Sequence, residues 1–194
     1  MTTKTTKTTK TTKKYAALLR GINVGGARKV PMAELREILA GLGHTDVQTY
    51  LQSGNAVFAS TENDTAALAR ELERAIEAHF GFAVRCLVVD GGYLRAVAEA
   101  CPFPAAELEG RQLHATFLSE QPAEERFAPI DGPAYLPEEY RIGDRVVYLY
   151  APNGLGRSKL AEALAKPAVF KGIDATTRNW NTVAKLVELT QDAR

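Results

Sequence analysis

Cysteine is scarce in this chain, with two among 194 residues, Cys86 and Cys101. A disulfide framework for a small secreted domain needs more, so both are expected to be reduced thiols. No C-x-x-C or H-x-x-x-H spacing occurs, and His44, His79 and His114 stand apart in sequence. Neither a metal site nor a cofactor is therefore expected. Long apolar runs are missing too: no segment approaches the roughly 18 consecutive apolar residues of a spanning helix. Nor does the N-terminus carry the apolar core of about 7–15 residues that marks a signal peptide. These absences argue against a membrane partner and make the cytoplasm the expected location.

A strongly basic body is also lacking. The formal charge is +1, but five of the 24 Lys and Arg residues lie in 1–14, which holds no acid, leaving 19 basic against 23 acidic residues beyond it. An acidic body does not capture nucleic acid broadly, because that takes a basic face. Residues 2–13 are four copies of Thr-Thr-Lys with nothing apolar to bury. This tail, through Lys14, is expected to be disordered, and weak nucleic-acid binding by it stays open as an alternative.

What is present is a regular alternation of strand and helix signals. Tyr15 to Arg20 reads as a strand, and Met32, Leu35, Ile38, Leu39 and Leu42 recur at helical spacing after Pro31. Val47 to Gln52 and Ala56 to Ser60 flank a turn at Ser53-Gly54. Asn63 or Asp64 can cap a helix carrying Leu68, Leu72, Ile76 and Phe80, and Phe82 to Val89 forms a fourth strand. The order βαββαβ over 15–90 is that of a ferredoxin-like plait. A helix from Asp90 ends at Cys101-Pro102-Phe103-Pro104, so 91–110 reads as a helical linker. Strands at Leu113–Leu118, Glu138–Ile142, Arg145–Tyr150 and Ile173–Thr177 follow. With helices after Ser119, from Arg157 and around Trp180, they give 111–194 as a second plait plus one helix. The fold class is α+β, with two tandem ferredoxin-like plaits and an extra C-terminal helix.

Four motifs stand out. They are Leu18-Leu19-Arg20-Gly21-Ile22-Asn23-Val24-Gly25-Gly26, Gln52-Ser53-Gly54-Asn55, Pro152-Asn153-Gly154-Leu155-Gly156-Arg157-Ser158-Lys159-Leu160, and Thr176-Thr177-Arg178-Asn179-Trp180-Asn181-Thr182-Val183. In this order, over about residues 15–190, the chain resembles the bacterial domain-of-unknown-function 1697 family. The resemblance implies two linked α/β plaits and no assigned activity. Cys101 stands where the resemblance leads one to expect a polar residue before Pro-Phe, which tells against a role for that thiol.

The first glycine loop is not a familiar nucleotide cradle. Gly21 and Gly26 have Walker spacing, but Ala27-Arg28 follows where Lys-Ser or Lys-Thr must meet phosphate and magnesium. The G-x-G-x-x-G of a dinucleotide site is absent as well. What remains is a loop of backbone N–H donors, with Gly25 and Gly26 beside Arg20, Asn23, Arg28 and Lys29, suited to a carboxylate or phosphate. The plain alternative is a turn onto the helix. At the second loop, Arg157 and Lys159 flank Ser158, a helix-cap candidate. Taking strands one and three of a plait as parallel neighbours, each glycine loop lies on the corresponding edge of its own plait. Arg20, Asn23, Arg157 and Lys159 would then meet on one anion if those edges adjoin. The same reasoning puts the hairpin at the opposite edge from Gly21, where Gln52, Ser53 and Asn55 would join Arg178 and Asn179. Amides and an arginine suit recognition of a planar polar ligand better than acid–base catalysis. The third strand, with Ala56-Val57-Phe58-Ala59, lacks the spaced aromatics of an RNA-stacking surface. The leading expectation is binding of a small anionic or polar ligand at a plait edge or interdomain cleft. A metal-independent transferase or hydrolase using that cleft and a protein-interaction module are the alternatives, and the oligomeric state is open.

Overall fold

A computed structural model describes residues 11–191. The first three Thr-Thr-Lys copies, expected to be disordered, lie outside the described residues. The fourth does not: β1 spans Lys13–Leu19, and Lys13 pairs opposite Ser60. The strand thus begins two residues before Tyr15.

The first unit runs β1, α1 (Met32–Gly41), β2 (Thr45–Tyr50), β3 (Asn55–Ser60), α2 (Thr65–Phe80) and β4 (Cys86–Asp90). Its helices start and stop for local reasons. Asp64 accepts hydrogen bonds from the N–H groups of Ala66 and Ala67, and Gly81 ends α2 in the left-handed region at φ 77°. The strands form one sheet in the order β2-β3-β1-β4. β1 pairs antiparallel with both β3 and β4. The expectation that strands one and three are parallel is therefore corrected. Helix α1 returns the chain so that β2, separated from β1 by β3, runs in the same direction as β1, and the hairpin then reverses β3.

In the second unit β5 (Leu113–Leu118), β6 (Glu139–Gly143), β7 (Val146–Tyr150) and β8 (Ala175–Asn179) form a sheet in the order β6-β7-β5-β8. All its pairings are antiparallel. The helix expected after Ser119 is reduced to a 3-10 turn at Glu124–Phe127, followed by another at Gly132–Tyr135. Pro122, Pro129 and Pro133 interrupt any longer ladder there. Helices α3 (Gly91–Glu99), α4 (Lys159–Leu164) and α5 (Trp180–Leu189) complete the five α-helices among the described residues.

Both faces of the first sheet are buried, which explains why β1 and β3 read as continuous apolar runs and not as alternation. Tyr15, Ala17, Leu19 and Phe58 pack with Leu35, Leu39, Leu68 and Leu72 of α1 and α2. On the other face Ala16, Leu18, Val57 and Val89 join Leu94 and Val97 of α3 and Val183 and Leu186 of α5. Ala115, Phe117 and Tyr148 of the second sheet share that cluster. The segment expected to be a linker thus supplies part of a core common to both units. Tyr148 Oη donates to the carbonyl of Val97 at 2.8 Å, and Tyr93 Oη to that of Arg145 at 2.8 Å. The outer face of the second sheet, with Val147 and Leu149, is covered by Leu160 and Leu164 of α4 and by Phe127.

Candidate functional site

Antiparallel pairing brings the end of β1 to the start of β3, with Leu18 opposite Asn55. The hairpin turn therefore shares an edge with the Gly21 loop, contrary to the expected placement at opposite edges. Asn23 ties the two together: its Nδ2 donates to the carbonyls of Gln52 at 2.7 Å and Val30 at 3.0 Å, while its Oδ1 accepts from Val30 N–H at 2.9 Å. Every hydrogen-bonding group of that amide is thereby engaged. Between the tied ends, Val24 bridges Ala27 and Gly25-Gly26 form the tip, with φ of 61° and 79°. The glycines thus turn a miniature hairpin, several residues ahead of α1. Asn23, Gly26, Lys29 and Gln52 line a separate hollow beside the start of α1. In the β2–β3 turn Gly54 is required on two grounds: its φ is 88°, and a Cβ there would lie 2.7 Å from Ile22 Cδ1.

Arg178 crosses from the second unit to this edge. Its Nε donates to Asn55 Oδ1 at 2.6 Å, and its Nη2 to the carbonyls of Leu19 at 2.8 Å and Gly54 at 3.2 Å. Nη1 donates to Thr177's own carbonyl at 3.0 Å. Asn55, fully buried, is held in turn by Nδ2 bonds to Tyr50 O and to Ser53 Oγ. Burial pushes the Arg178 guanidinium down to about 10, which leaves it charged at neutral pH. All its acceptors are neutral, and no carboxylate pairs with it among the described residues. Of the expected cluster, Arg178, Asn55 and Ser53 are thus together. Asn179 turns away to cap α5, its Oδ1 accepting from Thr182 N–H and Oγ1 at 2.9 Å.

The second glycine loop holds an anion of the protein's own. Glu138 Oε2 accepts from Ser158 Oγ and from Leu160 N–H, both at 2.8 Å, and Ser158 Oγ accepts from Ala161 N–H. A carboxylate at a helix N-terminus is the favourable arrangement that a ligand would otherwise supply. Arg157 and Lys159 are exposed and, like Asn23, do not line the cleft described next, which Arg20 does.

That cleft has a volume of about 790 Å³ and lies between the Gly21 loop on one side and α4 with its following segment on the other. Arg20, Ser53 and Arg178 reach it from the predicted motifs, and Lys166 and Glu162 from the α4 side. Its polar floor is the pair Thr116 and Thr177, whose hydroxyls lie 2.8 Å apart, opposite one another in register. Motif reading missed Lys166 and Thr116 and gave Thr177 no role, because Thr116 and Thr177 lie on strands that adjoin in the sheet but stand 61 positions apart in sequence. His114 and Thr116, polar positions in the otherwise apolar β5, were the available signal, whereas β8 is itself mostly polar. On the same face of β5, His114 is buried and its Nδ1 has no partner among the described residues. Burial lowers its pKa, so the imidazole is neutral at pH 7. No group of three His, Cys, Asp or Glu residues with metal-holding geometry occurs among the described residues. Among those residues no helix is long and apolar enough to cross a membrane.

Residues 12–148 match the model of the family described as protein of unknown function, DUF1697. The chain belongs to this family. The matched span takes in the first two motifs, while the second glycine loop and the Arg178 motif follow it. Among solved structures, the DUF1697 chain is similar to the conserved bacterial protein SP0830 from Streptococcus pneumoniae, with 25% identity and a TM-score of 0.75. The similarity covers 93% of this chain and 100% of that one. No curated protein matches the chain.

Proposed function

We propose that this DUF1697 protein binds a small anionic or polar ligand in the cleft between its two units. The observation that carries the reading is Arg178, a half-buried guanidinium at the cleft wall with neutral acceptors and no carboxylate partner among the described residues. Arg20 and Lys166 add exposed cations against Glu162, the single lining carboxylate among the described residues. An anion about 4 Å from a guanidinium gains roughly 4 kcal/mol at an effective dielectric of about 20, before desolvation. Ser53, Thr116 and Thr177 supply hydroxyls that orient the rest of the ligand. No histidine or cysteine lines the cleft, so recognition suits its chemistry better than acid–base or nucleophilic turnover.

On this reading the units are tandem ferredoxin-like plaits, 15–90 and 111–194, joined through 91–110. The repeated strand order of the two sheets supports it. Asn23, Gly25, Gly26, Gln52 and Asn55 frame the site, whereas Arg20, Ser53 and Arg178 face the ligand. The test is a thermal-shift screen against nucleotides, phosphorylated metabolites and carboxylates. A ligand at ~100 times its Kd stabilises by about 2.7 kcal/mol, roughly 5–10 °C for a chain of this size. Arg20→Ala and Lys166→Ala, both exposed positions, are expected to keep the unliganded Tm and lose most of that shift. No shift with any of the three ligand classes would reject the reading.

A further inference from the structure

Strand β8 has β5 on one side and, among the described residues, no strand on the other. In an antiparallel strand the N–H and C=O of one residue point to the same side, and the side alternates. The flanking residues set the phase. Ser119 N–H donates to the carbonyl of Asp174, and Trp180 N–H donates to the carbonyl of Gly110, so residues 174 and 180 face β5. Residues 176 and 178 then do the same, and Ala175 and Thr177 point their backbone groups outward. The bond from Arg178 Nη1 to the Thr177 carbonyl agrees with this phase. Ala175, Thr176, Thr177 and Arg178 all line the cleft, which places this edge of β8, with the outward N–H groups of Ala175 and Thr177 and the outward carbonyl of Ala175, beside it.

We infer that the ligand of this cleft is an extended acidic peptide segment, which adds to β8 as a fifth strand of the second sheet. The inference rests on the cleft-binding reading and names its ligand class. Main-chain pairing supplies affinity in strand addition, and pockets for alternate side chains supply selectivity. Here Arg20, Lys166 and Arg178 outweigh Glu162 and select acidic side chains, while Leu155, Phe170 and Ile173 offer an apolar wall to the alternate positions. At about 3.4 Å per residue, five residues match the length of β8. An open edge is ordinarily a template for a second sheet. This one has Arg20, Lys166 and Arg178 around it, and edge-to-edge pairing with a second copy would set like charges against each other.

The experiment is fluorescence anisotropy with a labelled pentapeptide alternating valine and aspartate, its counterpart N-methylated at alternate amides, and a valine–lysine counterpart. Inorganic phosphate and succinate are tested in parallel by thermal shift. The expected result is binding of the acidic peptide, weakened about tenfold or more by N-methylation and by the lysine exchange. Ala175→Pro removes an outward N–H that β5 does not use, and is expected to weaken the acidic peptide similarly. Equal binding of the acidic and N-methylated peptides to the wild type would overturn strand addition while leaving the anionic cleft standing. So would thermal shifts with phosphate or succinate and no peptide binding. No response to any probe would remove both readings. A dimer in sedimentation that Ala175→Pro dissociates, with no peptide bound, would overturn the inference in favour of a second copy.

Discussion

The hydrogen bonds from Arg178 to the first unit make a quantitative prediction. Arg178→Met keeps a long apolar stem and deletes the bonds to Asn55 Oδ1, Leu19 O and Gly54 O. Hydrogen bonds to a charged group contribute about 1.5–3 kcal/mol each, and they are not additive. Part of the loss is offset, because the guanidinium no longer has to be desolvated, a cost visible in its lowered pKa. Against this, Asn55 Oδ1 is left as a buried acceptor without its donor, a penalty of about 1–3 kcal/mol. A net loss of about 3 kcal/mol follows, or roughly 6–12 °C in Tm at this chain length. Urea unfolding of Arg178→Met, Asn55→Leu and the double variant measures the coupling directly. If the bond from Nε to Oδ1 ties the units, the double variant is less destabilised than the sum of the singles by at least about 1 kcal/mol. Additive losses, or a loss below about 1 kcal/mol for Arg178→Met, would refute the view that Arg178 ties the second unit to the first.

Two further predictions concern the frame. Gly54→Ala places a Cβ against Ile22 and Leu19 at a φ of 88°, and is expected to cost about 2–4 kcal/mol, read as a lowered Tm. An unchanged Tm would mean the turn is not held as described. His114 and His44 both have pKa values lowered by burial, His44 against an opposing pull from Glu71. The unfolded chain therefore takes up protons near the ordinary histidine value before the folded protein does, so stability is full above about pH 7 and falls as pH drops below about 6.5. Each such histidine contributes a slope of at most about 1.4 kcal/mol per pH unit. Denaturant melts between pH 5 and 7.5 should show a shallower slope for His114→Leu, and an identical slope would reject the assignment.

Much of the chain's architecture was legible without coordinates, because the signals involved are local. Helical spacing of Leu68, Leu72 and Ile76, the cap at Asp64 and the stop at Gly81 depend on neighbours within one or two turns, and α2 begins and ends at those residues. The glycine-marked turns at Gly54 and Gly81 were legible for the same reason, since left-handed backbone is strongly biased toward glycine. By contrast, Pro122, Pro129 and Pro133 were in plain view, yet the helix expected after Ser119 is a pair of 3-10 turns.

The site depended on contacts between distant segments. Motif chemistry drew attention to Arg20, Ser53, Asn55 and Arg178, but assigning them to edges required the strand directions, and reading β1 and β3 as parallel put the hairpin on the wrong side. Whether a polar group is available to a ligand was harder still. Asn23, Ser158 and Asn179 look like recognition residues in sequence, and each is engaged with a neighbour's backbone or carboxylate. Glu138 reaches the start of α4 across two strands, and Lys166 meets Arg20 around one cleft only because both sheets bury faces in a common core. Sequence alone thus determined the elements, their order and the residue types available for chemistry, since these follow from short-range backbone and burial preferences. Tertiary structure decided which of those residues are already satisfied and which remain open to a ligand, since hydrogen-bond saturation is set by whichever partner the fold brings up, from 20 positions away between Ser158 and Glu138 to 123 between Arg178 and Asn55.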